Sequence, residues 1–599
     1  MEKMDIKALY REKYDYHEAL RKVYKRRYNL NAIARLLIFV IGAIGFYYAL
    51  NTTVLVVSLI LMSVVMVFLA LVQYSARLER KIRWHREMAE INQEELSALE
   101  GDYSMFDGGE AFLNADHPYA YDLDIFGQNG FFPTINRTVR PGGKALLANW
   151  LQKPMLGDDD IQQRQVALIE LSEKLQWRQY FQAHARIQKL DEQSDQRINK
   201  LPTRTLKRPR FLVNRLVRWV VPVLTFAAIL LASLGPLPVG YPILLVLIQW
   251  SIVGFGMKYT KKADEALGRT NDIMQGQKEL IRLIDAENWD SNELKRLKQS
   301  LHEDNIHAIK SITHLAAIIK SFEYRNNLIV NFLANSLLLW DIQCLSRYLK
   351  WQQTASGHIN TWMHTLDEID GLISCSNYWY NNPDFAVPTV DDTQQLESRD
   401  LGHPLLQASK RVVNDYQFPA NTFFHIVTGA NMAGKSTFLR TVTLSMVMAM
   451  AGLPVCAKNF VFKPVSIFTS MRTTDSLSKD ESYFYAELRR LREAFDRIKS
   501  GERVFLVLDE ILKGTNSEDK RKGSMDFLTQ IMQYDVGGIV ATHDTQLGEL
   551  ANLYPDKFAN YCFEIEIDGE AVSFDYKLQP GITQTMNAQL LMKQMGLID

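Results

Sequence analysis

From Gly429 to Ser436 the chain reads Gly-Ala-Asn-Met-Ala-Gly-Lys-Ser, a match to G-x-x-x-x-G-K-[ST]. Gly429 and Gly434 allow a backbone curl whose N–H groups face phosphate oxygens, with Ala430, Asn431, Met432 and Ala433 forming the curl between them. A helix opening through Lys435, Ser436 and Thr437 adds positive dipole at the same point. Lys435 is expected to reach the β- and γ-phosphates of ATP, and Ser436 to ligate Mg²⁺. The strand-like FFHIVT before the loop and the helix-like TFLRTVTLSMVMAMA after it supply the context such a loop needs. A second piece is VFLVLDE, Val504 to Glu510, an apolar strand ending in two carboxylates. Asp509 stands on the metal side, and Glu510 is placed to polarise an attacking water. A third is GGIVATHD, a strand that delivers His543 to the same sheet edge, where it would sense the γ-phosphate. Lys435, Glu510 and His543 are thus the expected catalytic groups of a Mg²⁺-dependent ATPase.

Something must carry this site. The 599 residues suffice for about three or four domains of roughly 150 residues. The 68 basic and 68 acidic residues cancel, so net charge names no partner. Cys344, Cys375, Cys456 and Cys562 are scattered without a CxxC pair, which argues against a disulfide framework or a zinc site and fits a reducing compartment. No cleavable signal peptide is expected, because the first thirty residues are polar and basic and the apolar stretch after them is too long.

Between Arg35 and Arg77, and again between Arg218 and Lys258, no charged residue occurs. Each block holds two apolar runs of spanning length, parted by Asn51-Thr52-Thr53 in the first and Gly235–Gly240 in the second. Both read as transmembrane hairpins. Basic residues crowd the outer flanks, Arg21 to Arg27 and Arg77 to Arg86 on one hairpin, Lys207 to Arg218 and Lys258 to Lys262 on the other. The turns carry none, so everything except the turns should face the cytosol at the inner membrane. A soluble helical hairpin is the competing reading, and it fits less well with such long uncharged runs. The spans hold no charge that would line a transport path.

The chain divides into a basic cytoplasmic helix (1–35), hairpin 1 (36–76), a helical part (77–215), hairpin 2 (216–258), helical levers (259–399) and an α/β P-loop domain (400–599). Among the levers, EALGRTNDIMQGQKELIRLIDA and SNELKRLKQSLHEDNIHAIKSITHLAAIIKSF each read as a long amphipathic helix.

These motifs resemble the MutS family of DNA mismatch-repair ATPases. GANMAGKST resembles its phosphate loop, DEILKGTNSED its acidic pair and following loop, ATHDTQL its histidine switch and YKLQPG its closing strand. LGHPLL, Leu401 to Leu406, is similar to the entry of its ATPase domain, and NRTVRPGGKALLANWLQKPML to the start of its core domain. The resemblance covers roughly 120–210 and 260–599 and implies an ABC/MutS-type nucleotide domain with all-α core and lever helices. It implies that two such domains pair, a serine of one completing the other's site. Ser482, in SLSKDESYFYAEL, occupies that place, although Asp480-Glu481 stand where the family has Gly-Arg. Arg411 lies where the family carries an adenine-stacking aromatic. The family's mismatch-reading Phe-x-Glu occurs nowhere in this sequence, and no dimerising segment is read after MGLID.

The expectation is therefore a membrane-anchored MutS-type ATPase, a homodimeric clamp on double-stranded DNA. An ATP-gated membrane scaffold for protein or lipid stands beside it, since basic juxtamembrane clusters suit anionic headgroups as well as DNA. An ABC-like transport ATPase is the third reading, with no LSGGQ segment and no polar path to support it.

Overall fold

The computed structural model describes residues 3–584 apart from 50–52, 189, 202–205, 207–208, 210–213, 269–270, 304–305, 392, 420–421, 431, 473–482, 514 and 569–570. Asn431 and Ser482 therefore lie outside the described residues.

Two helices of unusual length open the chain, α1 (Lys3–Ala49) and α2 (Val54–Leu99), packed along each other as a hairpin. At about 1.5 Å per residue each is roughly 70 Å long. Each therefore continues from an apolar half into a basic half without a break, through positions 35 and 76. Helices α3 (Phe132–Ile135), α4 (Pro141–Gln152), α5 (Asp158–Glu173), α6 (Leu175–Gln188) and α7 (Glu192–Asn199) follow. The second hairpin is α8 (Arg215–Ser233) and α9 (Gly240–Leu267). Among the described residues, α1, α2, α8 and α9 are long and apolar enough to cross a membrane.

The pairing inside these hairpins is inverted relative to a water-soluble core. Gln249 Nε2 donates to Thr225 Oγ1 at 2.6 Å, both side chains fully buried between α8 and α9. Leu224, Leu230, Leu244 and Leu247 point outward and are exposed. Asn31 Nδ2 likewise donates to Ser75 Oγ at 2.6 Å between α1 and α2.

The lever region contains α10 (Asn271–Ala286), α11 (Asn292–Ser300), α12 (Ala308–Glu323), α13 (Leu328–Leu338), α14 (Trp340–Ala355) and α15 (Ile359–Asn381). Both long helices expected here are in fact broken. The first is parted at Gly268, whose φ of +54° ends α9. The second is two helices, α11 begun by a Ser291 cap on Leu294 N–H, and α12. Apolar periodicity persists across a turn when both helices bury the same face, and here both feed one core: Leu294, Leu297, Ile312, Leu315 and Ile319 are all buried in it.

Buried ion pairs fasten the levers. Arg140 Nε donates to Asp367 Oδ1 at 2.6 Å, and its backbone N–H to Asp370 Oδ2 at 2.9 Å. Arg137 pairs with Glu95 of α2 at 2.6 Å, and Asn377 and Asn381 of α15 donate to the same carboxylate at 2.7 and 2.8 Å.

The last domain holds β1 (Thr389–Val390), β2 (Gln394–Leu401), β3 (Asn414–Pro419), β4 (Phe424–Gly429), α16 (Lys435–Met450), β5 (Asn459–Phe462), β6 (Ser466–Ser470), α17 (Tyr483–Lys499), β7 (Val504–Asp509), α18 (Ser517–Ile531), β8 (Val536–Thr542), α19 (Glu549–Leu553), β9 (Phe558–Phe563), β10 (Glu566–Asp568), β11 (Ala571–Ser573) and β12 (Leu578–Pro580). Its main sheet runs β12-β9-β4-β8-β7-β6, parallel except at β12, with β1-β5-β2-β3 as a second sheet and β10-β11 as a small ribbon. The apolar runs HIV of β4 and FLVL of β7 are buried, as strands covered on both faces require.

Candidate functional site

Parallel strands end on one edge, and that edge carries the chemistry. In register Thr428 of β4 faces Thr542 of β8, and Asp509 of β7 faces Ala541. The phosphate-type loop, the two carboxylates and His543 therefore leave three adjacent strands at the same level. Gly429 has φ +150°, and an added Cβ would meet Phe563 O at 2.8 Å. Gly434 has φ +103° and starts α16, with Tyr576 Cδ1 3.1 Å from where a Cβ would sit. A side chain at either place is strained, which is why the motif needs glycine there.

A cavity of about 650 Å³ opens above this edge. Ala430, Met432, Gly434, Lys435, Ser436, Thr437, Asp509 and Glu510 all line it, while Ala433 is buried beneath. Lys435 Nζ donates to the carbonyls of Gly429 and Ala430, at 2.7 and 2.8 Å, so its cation sits inside its own loop. Burial pushes the Lys435 amine down, and the Glu510 and Asp509 carboxylates push it back up. Such a charge, held only by carbonyl dipoles, suits an incoming phosphate.

His543 Nδ1 lies 2.6 Å from Glu510 Oε1, and Lys520 Nζ of α18 lies 3.8 Å from Glu510 Oε2. Burial would raise the Glu510 carboxyl, but the His543 hydrogen bond and the nearby cations carry it below its ordinary value. Glu510 is thus kept ionised, as a base for a water proton must be. The Ser436 hydroxyl and the Asp509 carboxylate both line the cavity and are hard oxygens of the kind that could hold Mg²⁺, leaving positions for phosphate and water. Among the described residues no cluster of three or more His, Cys, Asp or Glu could hold a metal by itself.

One residue read as supporting the site differs from expectation. Arg411 does not line the cavity. Its guanidinium turns away, donating to Leu406 O at 2.6 Å and to Cys456 Sγ at 2.8 Å, and sits 5.8 Å over the Phe385 ring. The wall it was expected to form is made by Val412, Leu401, Leu406 and the ring of Tyr576. Ser482 falls outside the described residues, so its approach to a second copy stays an expectation.

Sequence reasoning missed Glu487. On α17 the buried stripe is Glu487, Leu491, Ala494 and Ile498, an acid on an otherwise apolar face. Its carboxylate accepts from Leu512 N at 2.6 Å and Lys513 N at 3.0 Å, directly after the acidic pair. That grip holds Glu510 and Leu512 at φ +60° and +58°, the left-handed region. The signal was present: a lone carboxylate at a core position of an amphipathic helix.

The comparisons agree with this geometry. Residues 425–591 match the family model described as MutS domain V. Human "MutS protein homolog 4" is 28% identical over 233 residues, which are 37% of this chain and 24% of that protein. "DNA mismatch repair protein MutS" of Persephonella marina is 30% identical over 205 residues, 33% of this chain and 23% of that protein. An Arabidopsis thaliana "DNA mismatch repair protein MSH4" is 29% identical over 220 residues, 35% of this chain and 27% of the relative. The chain thus spans about a quarter of the length of the curated relatives it matches. The domain built around this cavity, residues 425–591, is thus similar to domain V of the MutS family.

Proposed function

We propose that the protein is a membrane-anchored, Mg²⁺-dependent MutS-type ATPase that uses paired nucleotide domains to close a clamp on double-stranded DNA. The observation that carries this reading is one cavity lined by a buried Lys435 and by Glu510, with His543 Nδ1 2.6 Å from Glu510 Oε1. Lys435 would exchange two carbonyl partners for phosphate oxygens, and Glu510 would take the proton of the attacking water while His543 orients it. Mg²⁺, held through Ser436 and Asp509, would offset the charge on the transferring phosphoryl group. Tyr576 and Val412 offer the apolar wall for the base.

Pairing rests on Ser482, whose hydroxyl would donate to the γ-phosphate bound by the other copy. Anchoring is supported by the two inverted hairpins and by the basic flanks, and would leave the nucleotide domain in the cytosol at the inner membrane. DNA would be held through phosphates by Lys and Arg, without sequence preference.

The test is ATP hydrolysis by the full chain in lipid vesicles, with no DNA, homoduplex, mismatched duplex and branched duplex. Stimulation by any duplex, weakening as salt rises, supports the clamp. Stimulation by anionic vesicles alone, indifferent to every DNA, would replace the clamp with an ATP-gated membrane scaffold. No hydrolysis with Mg²⁺ in any arm refutes the enzyme.

A further inference from the structure

Helix α13 belongs to neither transmembrane hairpin, yet its surface is the wrong way round for water. Leu328 is 84% exposed, Ile329 72%, Phe332 57% and Leu333 52%, whereas Asn335 and Ser336 are 1% and 5% exposed. In water a helix buries its apolar stripe and shows its amides. Here the amides face protein: Asn335 Oδ1 accepts from Asp341 N at 3.0 Å, and Ser336 Oγ accepts from Trp250 Nε1 at 3.0 Å. This is the same inversion seen in α8 and α9.

Its position fits that surface. Trp250 of α9 stacks on Phe332, with ring centroids 5.7 Å apart. Trp250 precedes Lys258, the first charge after the span, by eight residues, which is about 12 Å along the helix. Leu339 and Ile342 pack on Ile252 and Val253, a little nearer that charge. The excursion also has a fixed base. Arg325 pairs with Asp341 at 3.1 Å, and Trp340 Nε1 donates to Ser321 O at 3.0 Å. Residues 326–339 therefore leave and return at one place. Leu339, at φ +49°, turns the chain by 80° into α14 and α15.

We infer that α13 is a fifth membrane element, a half-buried helix whose outer face is covered by acyl chains of the leaflet that holds Lys258. The inference rests on the anchoring reading, because α13 takes its depth from α9. Its eleven residues reach only about 16 Å, too short to cross the roughly 30 Å hydrocarbon core. It enters and leaves on the same side. Since α13 leads without interruption of fold into α14 and α15, and α15 runs to the nucleotide domain, any rocking of that lever drags α13 through lipid.

The four native cysteines are buried, so an added surface cysteine can be labelled selectively. Leu328→Cys, Leu333→Cys and, as a probe of the span itself, Leu247→Cys are each introduced into the full chain and labelled with a polarity-sensitive fluorophore. The proteins are reconstituted in phosphatidylcholine–phosphatidylglycerol vesicles carrying spin-labelled acyl chains, with aqueous iodide as the opposing quencher. The expected result is blue-shifted emission, quenched by lipid and not by iodide, at all three sites. Iodide quenching at 328 and 333 with lipid quenching at 247 overturns the inference and leaves the anchor standing. Protection from both quenchers at 328 and 333 also overturns it, and assigns the face to a second copy or a protein partner. Iodide quenching at 247 removes the anchor and this inference together.

Discussion

Glu487→Gln tests whether the catalytic loop is held from behind. In the native protein both carboxylate oxygens accept backbone N–H groups, from Leu512 and Lys513. An amide offers one oxygen, and its NH₂ faces the other donor. One buried N–H is then left unsatisfied, which costs about 1–3 kcal/mol. The loop it restrains already holds Glu510 and Leu512 left-handed, at roughly 1–2 kcal/mol each. Those terms are of equal size, so losing the grip lets the loop relax and moves Glu510 away from the water it activates. Converted at about 1.4 kcal/mol per decade, the substitution should slow hydrolysis roughly 10-fold, with an upper bound near 100-fold. ATP affinity should stay within a factor of about two, because the phosphate loop leaves a different strand, β4, and among the described residues Glu487 is hydrogen-bonded to Leu512 and Lys513 rather than to that loop. The assay is single-turnover hydrolysis beside equilibrium binding of a fluorescent ATP analogue to the full chain in detergent. A single-turnover rate within twofold of wild type refutes the reasoning. So does a parallel collapse of binding and hydrolysis, which would make Glu487 a general prop of the domain.

Three other perturbations follow from the same contacts. Gly434→Ala forces a side chain onto a φ of +103° and against Tyr576, so ATP affinity measured by equilibrium binding should fall by about tenfold or more, and the same strain should lower thermal stability by a few degrees. Arg140→Met strands the buried Asp367 and takes the neighbouring cation from Asp370, which keeps its backbone partners, and should cost about 3–5 kcal/mol in denaturant unfolding. Burial already raises the Asp370 carboxyl to about 7, so folding favours its protonated form, and the loss should be larger at pH 8 than at pH 5.5. His17 Nδ1 meets His85 Nδ1 at 2.9 Å between α1 and α2, and burial, with His85 and Lys13 nearby, lowers the His17 imidazole to about 4. A depressed histidine contributes stability that is whole above its unfolded value of 6.5 and is lost as pH falls towards 4. Hydrogen exchange in the basic half of α1 should therefore quicken across that window, after correction for intrinsic rates, and His17→Gln should flatten the change.

What could be read before the structure was local. The phosphate loop, the acidic pair and His543 each follow a short apolar strand, so residue type, spacing and sheet edge were all legible in stretches of about ten residues. The hairpins were legible because few water-soluble helices run uncharged for the length of a bilayer core. The failures are long-range. Tyr576 reaches the cavity because the chain beyond β9 folds back as β12, antiparallel to it, and no short window of sequence announces that return. Arg411 is drawn away by Leu406 O nearby and by Cys456, which is distant in sequence and which no local stretch announces. The lever helices break at Gly268 and between Ser300 and Ala308 although the apolar period carries across, because packing into a shared core decides where a helix stops. Helix α13 escaped notice because its composition, LIVNFLANSLL, is ordinary for a buried helix, and only its outward face distinguishes it.

The proposed connection between the nucleotide site and the membrane helices can be followed through paired side chains. Asp122 accepts from Thr469 Oγ1 and from the backbone N–H groups of Met471 and Arg472, at the exit of β6. Asp124 bridges Arg472 and Arg440, the latter on the helix that starts at the phosphate loop. Arg490 of α17 donates to the carbonyls of His117 and Pro118. The segment 116–124 is therefore gripped by α16, β6 and α17 at once, and the stretch bearing Ser482 begins immediately after Arg472. From that segment the chain leads back to α2, whose Glu95 is locked to Arg137 and α15 and whose other end lies in the first hairpin. On the proposed reading, a rotation of α17 as a second copy's phosphate engages Ser482 would be passed to the hairpin α1–α2 or to α15 and α13. With those helices in lipid, as proposed, closing of the clamp would be a change of posture at the bilayer.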